Sequence, residues 1–457
     1  MKIENSTRSF AILSALIICI STVLLAIWSI RDTIALRNVL LVLGALVALF
    51  LIKQYLKQPQ KIASNSIWHY APIILSACTL VWVGIHYLVF SQDSALQLKD
   101  LTSTWVRVLM ASMIGAATGL VIKDNPQRSQ YLWFGIFCSF AYLLVHYLEA
   151  YSQSGALFMP DYYFTSPFSN KINTVLMGGL FIAAICGASA TALTSKYSPS
   201  YPRIIYIYWA IAVAIILFAY TTIIDTRNGL GVGLILLSAW VLYVFCVMLG
   251  RQLLTRTLNW KRGILILLPI LFIFIFVQQH LNINRGWNNF FEDIAIGFQI
   301  DEVPNWQNIQ KFGYPKTSSG EQVYPNNYER AAWAAAGVRT IQENPLGYGL
   351  LEHSLGKMIQ KSYPEAVIRS SHSAWVDFGL AFGIPGLALI LSALISTIAL
   401  AIRSHSPNKL LVVWMAFSLL LIFTIAEVSS NHTIEILFFC IALLNTMALE
   451  KRNHPYS

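Results

Sequence analysis

Three side chains that could take part in chemistry stand at the edges of hydrophobic blocks in this sequence. Arg227 lies in IIDTRNGLGVG, Arg330 in YERAAWAAAG and His372 in RSSHSAWVDFGLAFGIPG. Charged groups at a membrane are costly and usually mark a functional site. A guanidinium group binds phosphate through two hydrogen bonds, and an uncharged imidazole can accept a proton from a hydroxyl group. Together they predict a site for a phosphate-bearing donor beside a general base.

Arg227 is followed by glycines at alternating positions, Gly229, Gly231 and Gly233. Glycines there let a backbone or a ligand approach the start of the next helix, and the free N–H groups of a helix N-terminus attract anions. No βαβ pattern surrounds these glycines, so they are not a nucleotide-binding fingerprint. The alternative is that Arg227 reaches the membrane surface and pairs with Asp225.

Arg330 and Trp333 are three residues apart in a segment with helical periodicity, so they are predicted to share one face. That face could hold a phosphate group against an aromatic wall. The alternative is a solvated Arg330 paired with Glu329 or another acidic residue. Arg339 and Arg369 are weaker candidates of the same type.

His372 stands where a polar segment meets the next hydrophobic block. If Ser370 or Ser371 caps the following helix, His372 lies in its first turn. There the helix dipole favours the uncharged imidazole that a general base requires. Asp377, five residues further on, could orient the ring. The alternative is a histidine that is satisfied at the membrane interface, and His353 is a competitor with less context.

Hydrophobic helices must position these residues. Hydrophobic residues make up 56% of the 457 residues and charged residues 11%, and the mean hydropathy is +0.60. This composition excludes an ordinary soluble enzyme and a disordered chain. The net charge of +10 indicates contact with membrane lipids rather than nucleic acid.

The sequence therefore predicts an all-α polytopic membrane protein with about twelve transmembrane helices, each about 20 apolar residues long. The predicted spans are 10–30, 36–56, 71–90, 104–122, 131–149, 173–194, 203–224, 229–249, 263–280, 373–402, 408–428 and 431–449. Span 373–402 is long for one upright helix and contains GIPG at Gly383 to Gly386, where a break is predicted.

Lys and Arg are distributed unequally between the two sides of these spans. With the N-terminus inside, 17 of the 31 fall on the inner side and 5 in the short outer loops, so both termini are predicted to be cytoplasmic. Three parts follow: residues 1–280 with spans one to nine, a periplasmic loop of residues 281–372, and residues 373–457 with the last three spans. Helices are predicted in that loop at 287–300 and 328–342, lying at the membrane interface.

These motifs resemble the bacterial O-antigen ligases, in a superfamily that also contains O-antigen polymerases and periplasmic protein O-oligosaccharyltransferases. The matching features are TRNGLGVG, the Arg-x-x-Trp helix leading into ENPLGYG, and HSAWVDFGLAFGIPG. Twelve spans with one large loop between the ninth and the tenth are similar as well. The motifs cover about residues 225–235 and 328–390, whereas the architecture covers nearly the whole chain.

The resemblance implies an inverting, metal-independent glycosyltransferase of the membrane-bound type C class, in the bacterial inner membrane and without a cofactor. The donor would be O-antigen polysaccharide on undecaprenyl pyrophosphate, and the acceptor a sugar hydroxyl of lipid A–core oligosaccharide. By this resemblance Arg227 and Arg330 would hold the pyrophosphate, and His372 would take the acceptor proton. Gly347 and Gly349 would shape the loop around the donor.

Other functions remain open at this point. An O-antigen polymerase would use the same donor with a growing chain as acceptor, and the single large loop favours the ligase. A lipid-linked glycan transporter would require polar residues midway through several spans, where Arg107 is the conspicuous charge. The acidic pair Asp301–Glu302 has no histidine nearby that would indicate a metal site.

Overall fold

The computed structural model describes residues 2–57, 67–123, 125–159, 162–168, 171–194, 201–255, 285–425 and 432–449, together with Leu271 and Gln278. Helices fill most of these ranges. Those before the large loop are α1 (Lys2–Ile27), α2 (Ile34–Lys57), α3 (Ala71–Val89), α4 (Ser94–Asp100), α5 (Val106–Ile122), α6 (Ser129–Ser154), α7 (Tyr162–Thr165), α8 (Lys171–Thr194), α9 (Arg203–Phe218) and α10 (Arg227–Thr255).

The second part of the described chain holds the loop helices and the last membrane helices. They are α11 (Phe290–Phe298), α12 (Ile309–Phe312), α13 (Pro325–Glu343), α14 (Ser354–Ser362), α15 (Ala374–Arg403), α16 (Lys409–Ile425) and α17 (Thr433–Met447). Only isolated β-bridges, and no strands, occur among the described residues. The predicted all-α class is confirmed, and α11 and α13 confirm the two helices predicted in the loop.

Nine helices of the described chain are long and apolar enough to cross a membrane, and α16 and α17 are shorter apolar helices. They correspond to all the predicted spans except 263–280, which lies outside the described residues apart from Leu271 and Gln278. The chain is therefore a multi-pass membrane protein. Helix α8 lies at its centre, with 83% of its apolar window buried.

Helix α15 is broken at Gly383, which has φ 68° and ψ −174°. This confirms the break predicted at GIPG. Pro385 has no N–H group, so Ala381 cannot bond it through its carbonyl. The loop after α13 supplies the missing donors: the amide of Tyr348 lies 2.7 Å from the Leu380 oxygen, and that of Gly349 2.7 Å from the Ala381 oxygen.

The large loop has its own hydrophobic core. Trp306, Tyr328 and Leu355 are buried in it, and Val376 and Leu380 of α15 belong to the same cluster. The first part of α15 is therefore shared between the membrane bundle and the loop.

Helix α13 runs parallel to the first part of α15, with matched contacts about one turn apart. The Trp333 ring lies beside His372, a side chain at Gly337 would collide with Val376, and Gly379 makes room for Ile341. The face of α13 that bears Arg330 and Trp333 is therefore turned toward the residues that directly precede α15.

Candidate active site

The three sequence motifs meet at the carbonyls of Thr424 and Ile425, the last described residues of α16. Asn228, next to Arg227, donates from Nδ2 to the Ile425 carbonyl at 3.4 Å, and Arg330 donates from Nη1 to the same oxygen at 3.4 Å. Ser373, next to His372, donates from Oγ to the Thr424 carbonyl at 3.5 Å. These two neighbouring carbonyls therefore receive donors from all three motifs.

Arg227 is the first residue of α10. This confirms the helix N-terminus that the sequence predicted near Arg227. Thr226 caps this helix, because its hydroxyl accepts a hydrogen bond from the Gly229 amide at 3.3 Å. The Arg227 guanidinium carbon lies 4.2 Å from the centre of the Tyr324 ring, a cation–π contact. Tyr324 directly precedes α13, so Arg227 packs against the helix that carries Arg330.

The alternative pairings of the two arginines find no support in the described contacts. No salt bridge joins Arg227 to Asp225 within the described chain, and the backbone carbonyl of Asp225 instead accepts from Lys171 Nζ at 3.4 Å. The carboxylate of Glu329 accepts from the Tyr314 hydroxyl at 2.8 Å. Lys171 is a third cation at this corner that the sequence motifs did not indicate, because it lies in another hydrophobic block.

His372 lies against Trp333, with ring centres 5.3 Å apart and an angle of 37° between the rings. The prediction that His372 occupies the first turn of a helix is wrong by two residues. The helix begins at Ala374 with Ser373 as the preceding residue, because His372 has a left-handed backbone with φ 54°. Such a conformation is uncommon outside glycine and is often found at functional sites.

Asp377 fixes the backbone next to His372. Its Oδ1 accepts from the Ser371 amide at 2.9 Å and from the Ser371 hydroxyl at 2.7 Å, and the carboxylate is buried, with 3% of the residue exposed. This clamp holds Ser371 over the start of α15 and forces the turn that contains His372. The described bonds of Asp377 thus position His372 through the chain, whereas the sequence pointed to a direct effect on the ring.

Trp333 contributes a polar group as well as a ring face. Its indole N–H is buried and has no hydrogen-bond partner within the described chain. Buried donors normally have partners, and an oxygen atom of a bound molecule could pair with this N–H group beside His372 only after a movement that exposes it.

Gly347 and Gly349 lie away from this corner. Both have positive φ, 86° and 111°, and a side chain at Gly347 would come within 2.6 Å of the Ala381 oxygen. From Arg330 to the end of α13 at Glu343 the helix rises about 20 Å, and the glycines follow that end. Their described contacts join the loop to the break in α15, and a role in shaping the donor site stays a prediction.

Two weaker candidates have other partners. Arg339 forms a double ion pair with Asp301, with N–O distances of 2.6 and 2.7 Å. The hydrogen bonds from Arg339 lower the pKa of the Asp301 carboxyl group. His353 lies at the start of α14, 3.9 Å from the carboxylate of Glu352.

Groups of three or more His, Cys, Asp or Glu placed to hold a metal ion do not occur among the described residues. Asp301, the first residue of the acidic pair considered in the sequence, is bound to Arg339. Whether catalysis depends on a metal stays a prediction.

Comparison with known proteins adds a family to this geometry. No curated protein matches the chain. A family model described as O-Antigen ligase matches residues 230–391, about a third of the chain. This segment runs from the first turn of α10 through the large loop and the break in α15. Over residues 230–391 the chain thus has the sequence features of the O-antigen ligase family, as its motifs predicted.

Proposed function

We propose that this protein is an O-antigen ligase that transfers polysaccharide from undecaprenyl pyrophosphate to a sugar hydroxyl of lipid A–core oligosaccharide. The observation that carries the proposal is the meeting of three motifs at the carbonyls of Thr424 and Ile425. In this proposal, the guanidinium groups of Arg227 and Arg330 and the imidazole of His372, which these motifs carry, provide the two functions that the reaction needs. One function is to bind the leaving diphosphate, and the other is to remove the acceptor proton.

Arg227 and Arg330 bind the pyrophosphate in this proposal. Arg227 approaches from the start of α10, where free N–H groups add positive potential, and Arg330 approaches from α13. As the bond between the anomeric carbon and the pyrophosphate oxygen breaks, negative charge grows on the leaving group. Preorganised cations stabilise that charge in the transition state more than in the ground state.

His372 acts as the general base. Its imidazole accepts the proton of the acceptor hydroxyl while the hydroxyl oxygen attacks the anomeric carbon from the face opposite the pyrophosphate, which inverts the configuration. Trp333 limits the position of the ring by contact, and its N–H group donates to an oxygen atom of the donor or acceptor. Asp377 holds the backbone through Ser371. Pyrophosphate is a good leaving group, so no separate general acid is required.

The proposed topology places this corner on the periplasmic face of the bacterial inner membrane, with both termini in the cytoplasm and residues 281–372 as the periplasmic part. The unequal distribution of Lys and Arg supports this orientation. The outer starts of α10 and α15 and the outer end of α16 then lie on one side, where a lipid-linked donor could reach Arg227 and Arg330 from the bilayer.

Reconstitution of the purified protein with lipid A–core and undecaprenyl-linked glycan tests the proposal. We expect the core band to shift to a ladder of higher masses on a gel. Longer lipid-linked chains without attachment to the core would instead indicate a polymerase. The absence of both products from a folded protein, together with movement of the lipid-linked glycan across the membrane, would indicate a transporter.

A further inference from the structure

A polar cleft opens at the same end of the bundle as the candidate active site. Its volume is about 590 Å³, and it lies between the turn after α1, the second half of α6, and α7. Small-molecule sites typically have volumes of about 300–1,000 Å³, so the cleft could hold a short oligosaccharide. The lining residues that could contact a ligand with polar groups or rings include Asp32, Tyr142, His146, Glu149, Gln153 and Tyr162.

The wall formed by α6 combines ring faces with hydrogen-bonding groups. Tyr142 and His146 are one turn apart, and their ring centres lie 4.5 Å from each other. Glu149 and Gln153 continue the same face at spacings of three and four residues. The side chain of Glu149 is 64% exposed, and its carboxylate lies 3.8 Å from His146 Nδ1. Rings can pack against the C–H face of a sugar, while carboxylate and amide groups can bond its hydroxyls.

Tyr162 adds to the cleft wall a residue whose hydroxyl group has no described hydrogen-bond partner. The residue is 9% exposed, and its oxygen is buried without a hydrogen-bond partner in the described part of the chain. Burial, helped by the nearby Glu149 carboxylate, raises the pKa of Tyr162 to about 12, so the group stays a neutral O–H donor at physiological pH. An unpaired buried hydroxyl costs free energy, which a ligand oxygen could recover where the side chain turns enough to expose it to the cleft.

The charge of the cleft argues against a phosphate ligand. Arg31 is the only Lys or Arg among the described lining residues, and all three of its guanidinium nitrogens are engaged by backbone carbonyls, those of Phe168, Phe164 and Tyr163. Asp32 and Glu149 leave two carboxylates facing the cavity. This arrangement accepts hydrogen bonds from neutral hydroxyl groups and repels an anion.

A short segment connects the cleft to the Arg227 corner. Ser166 and Pro167 line the cavity, and four residues after Pro167 the side chain of Lys171 reaches the Asp225 carbonyl. The Lys171 amide also donates to the Tyr163 hydroxyl at 3.2 Å. A glycan that crosses this segment would therefore extend from the cleft to the pyrophosphate-binding arginines.

We propose that the cleft between α6, α7 and the turn after α1 binds uncharged sugar residues of a glycan substrate, away from the bond that reacts. The inference rests on the proposed glycosyl transfer for its choice of ligand. Either substrate could supply such sugars: the acceptor, through the lipid A–core oligosaccharide, or the donor, through its polysaccharide. The direct test is binding of each free oligosaccharide, which does not depend on catalysis.

The experiment uses the full-length protein in detergent and two probes, an oligosaccharide released from lipid A–core and one released from the lipid-linked donor. Saturation-transfer NMR reports binding, and competition titrations give the dissociation constant. We expect one probe to bind, and Tyr142→Ala and Glu149→Gln each to weaken it at least about tenfold, the loss of about 1.4 kcal/mol. Inorganic phosphate should not displace it.

Tyr151→Ala is the matched control, because Tyr151 is an exposed tyrosine of α6 that does not line the cleft. In transfer assays the two cleft variants should raise KM for the substrate that binds there and leave kcat nearly unchanged. Binding of neither oligosaccharide, or equal binding by wild type, Tyr142→Ala and Glu149→Gln, would overturn the cleft assignment. Oligosaccharide binding that the cleft variants weaken in a protein without transfer activity would refute the ligase proposal alone.

Discussion

His372 combines a left-handed backbone with a fixed neighbour on each side. Its φ of 54° is maintained because Asp377 holds Ser371 and the Ser373 hydroxyl reaches the end of α16. These contacts fix the backbone on both sides of His372, and such preorganisation would suit the general base that we propose.

His372→Ala should reduce the transfer rate by about 100- to 10,000-fold, the usual contribution of general base catalysis. The imidazole is only half-buried, so its removal should not disturb folding. Expression and binding of lipid A–core should therefore remain. The measurement is the initial rate of ladder formation in the reconstituted system. His353→Ala is the control and should retain activity. A fully active His372→Ala protein would refute the base assignment.

Arg227→Lys should lower kcat/KM by about 10- to 100-fold, since one hydrogen bond to a charged group contributes about 1.5–3 kcal/mol and an ammonium group cannot reproduce the two-pronged fork. The cationic contact with Tyr324 can persist in the variant, so the folded structure should be kept. Steady-state kinetics with varied donor concentration measure the effect.

Arg339→Lys is the comparison for this variant, because Arg339 also forms a two-pronged pair but with Asp301 of the protein itself. Its activity should stay near that of the wild type. Equal activity of Arg227→Lys and wild type would contradict the pyrophosphate-binding role of Arg227. It would favour the alternative that Arg227 reaches the membrane surface.

At the scale of elements, the break in α15 and the loop after α13 complete each other. The amides of Tyr348 and Gly349 bond the carbonyls of Leu380 and Ala381, and the Ile384 amide donates to the Pro345 carbonyl at 2.8 Å. The indole N–H of Trp82 donates to the Phe382 carbonyl at 2.8 Å. These hydrogen bonds thus satisfy backbone groups that the break leaves without partners inside α15. The interior of a membrane requires this, because no water is present there to bind such groups.

Gly347→Ala should destabilise the protein by about 1–3 kcal/mol or more, because an alanine at φ 86° is strained and its Cβ would press against the Ala381 oxygen. The thermal unfolding midpoint in detergent measures the loss. Gly84→Ala is the matched control in α3, where nothing lies within 4 Å of the added carbon, and its midpoint should stay the same or rise. Equal midpoints for Gly347→Ala and wild type would contradict this packing role.

Local patterns predicted much of the site from the sequence. The shared face of Arg330 and Trp333, the helix start at Arg227 and the break at Gly383 all follow from spacing or from single residue types. The end of α16 as the meeting point could not be predicted, because Ile425 is about 200 residues from Asn228 and its part is played by a backbone carbonyl, which no side-chain pattern marks. The start of the helix after His372 was predicted two residues too early. Ser371 does not cap this helix, because Asp377 binds its amide and its hydroxyl group.

At the scale of the molecule, the family match and the site do not coincide. The matched residues 230–391 contain Arg330 and His372, whereas Arg227, Ile425 and the polar cleft lie outside them. Two of the three residues proposed to act in the reaction thus lie in the matched segment, and the parts proposed to hold the sugars come from earlier helices of the chain.

Transfer should continue in the presence of excess EDTA, because Arg227 and Arg330 are proposed to supply the positive charge that neutralises the leaving pyrophosphate. The assay is ladder formation by protein that was incubated with the chelator and separated from it. Arg227→Ala, added as a second sample, should lose activity with or without magnesium. Loss of wild-type activity in EDTA and its recovery with magnesium would overturn the metal-independent mechanism.

The sharing of Val376 and Leu380 between the loop core and α15 has a consequence for biosynthesis. Translation makes residues 281–372 before α15, whose Val376 and Leu380 complete their core. This segment, proposed to be periplasmic, can therefore fold fully only after α15 has been made. A soluble fragment cut at residue 372 would lack one wall of its interior and should stay partly unfolded. Antibodies or inhibitors meant to recognise the native outer surface are therefore best selected against the intact chain.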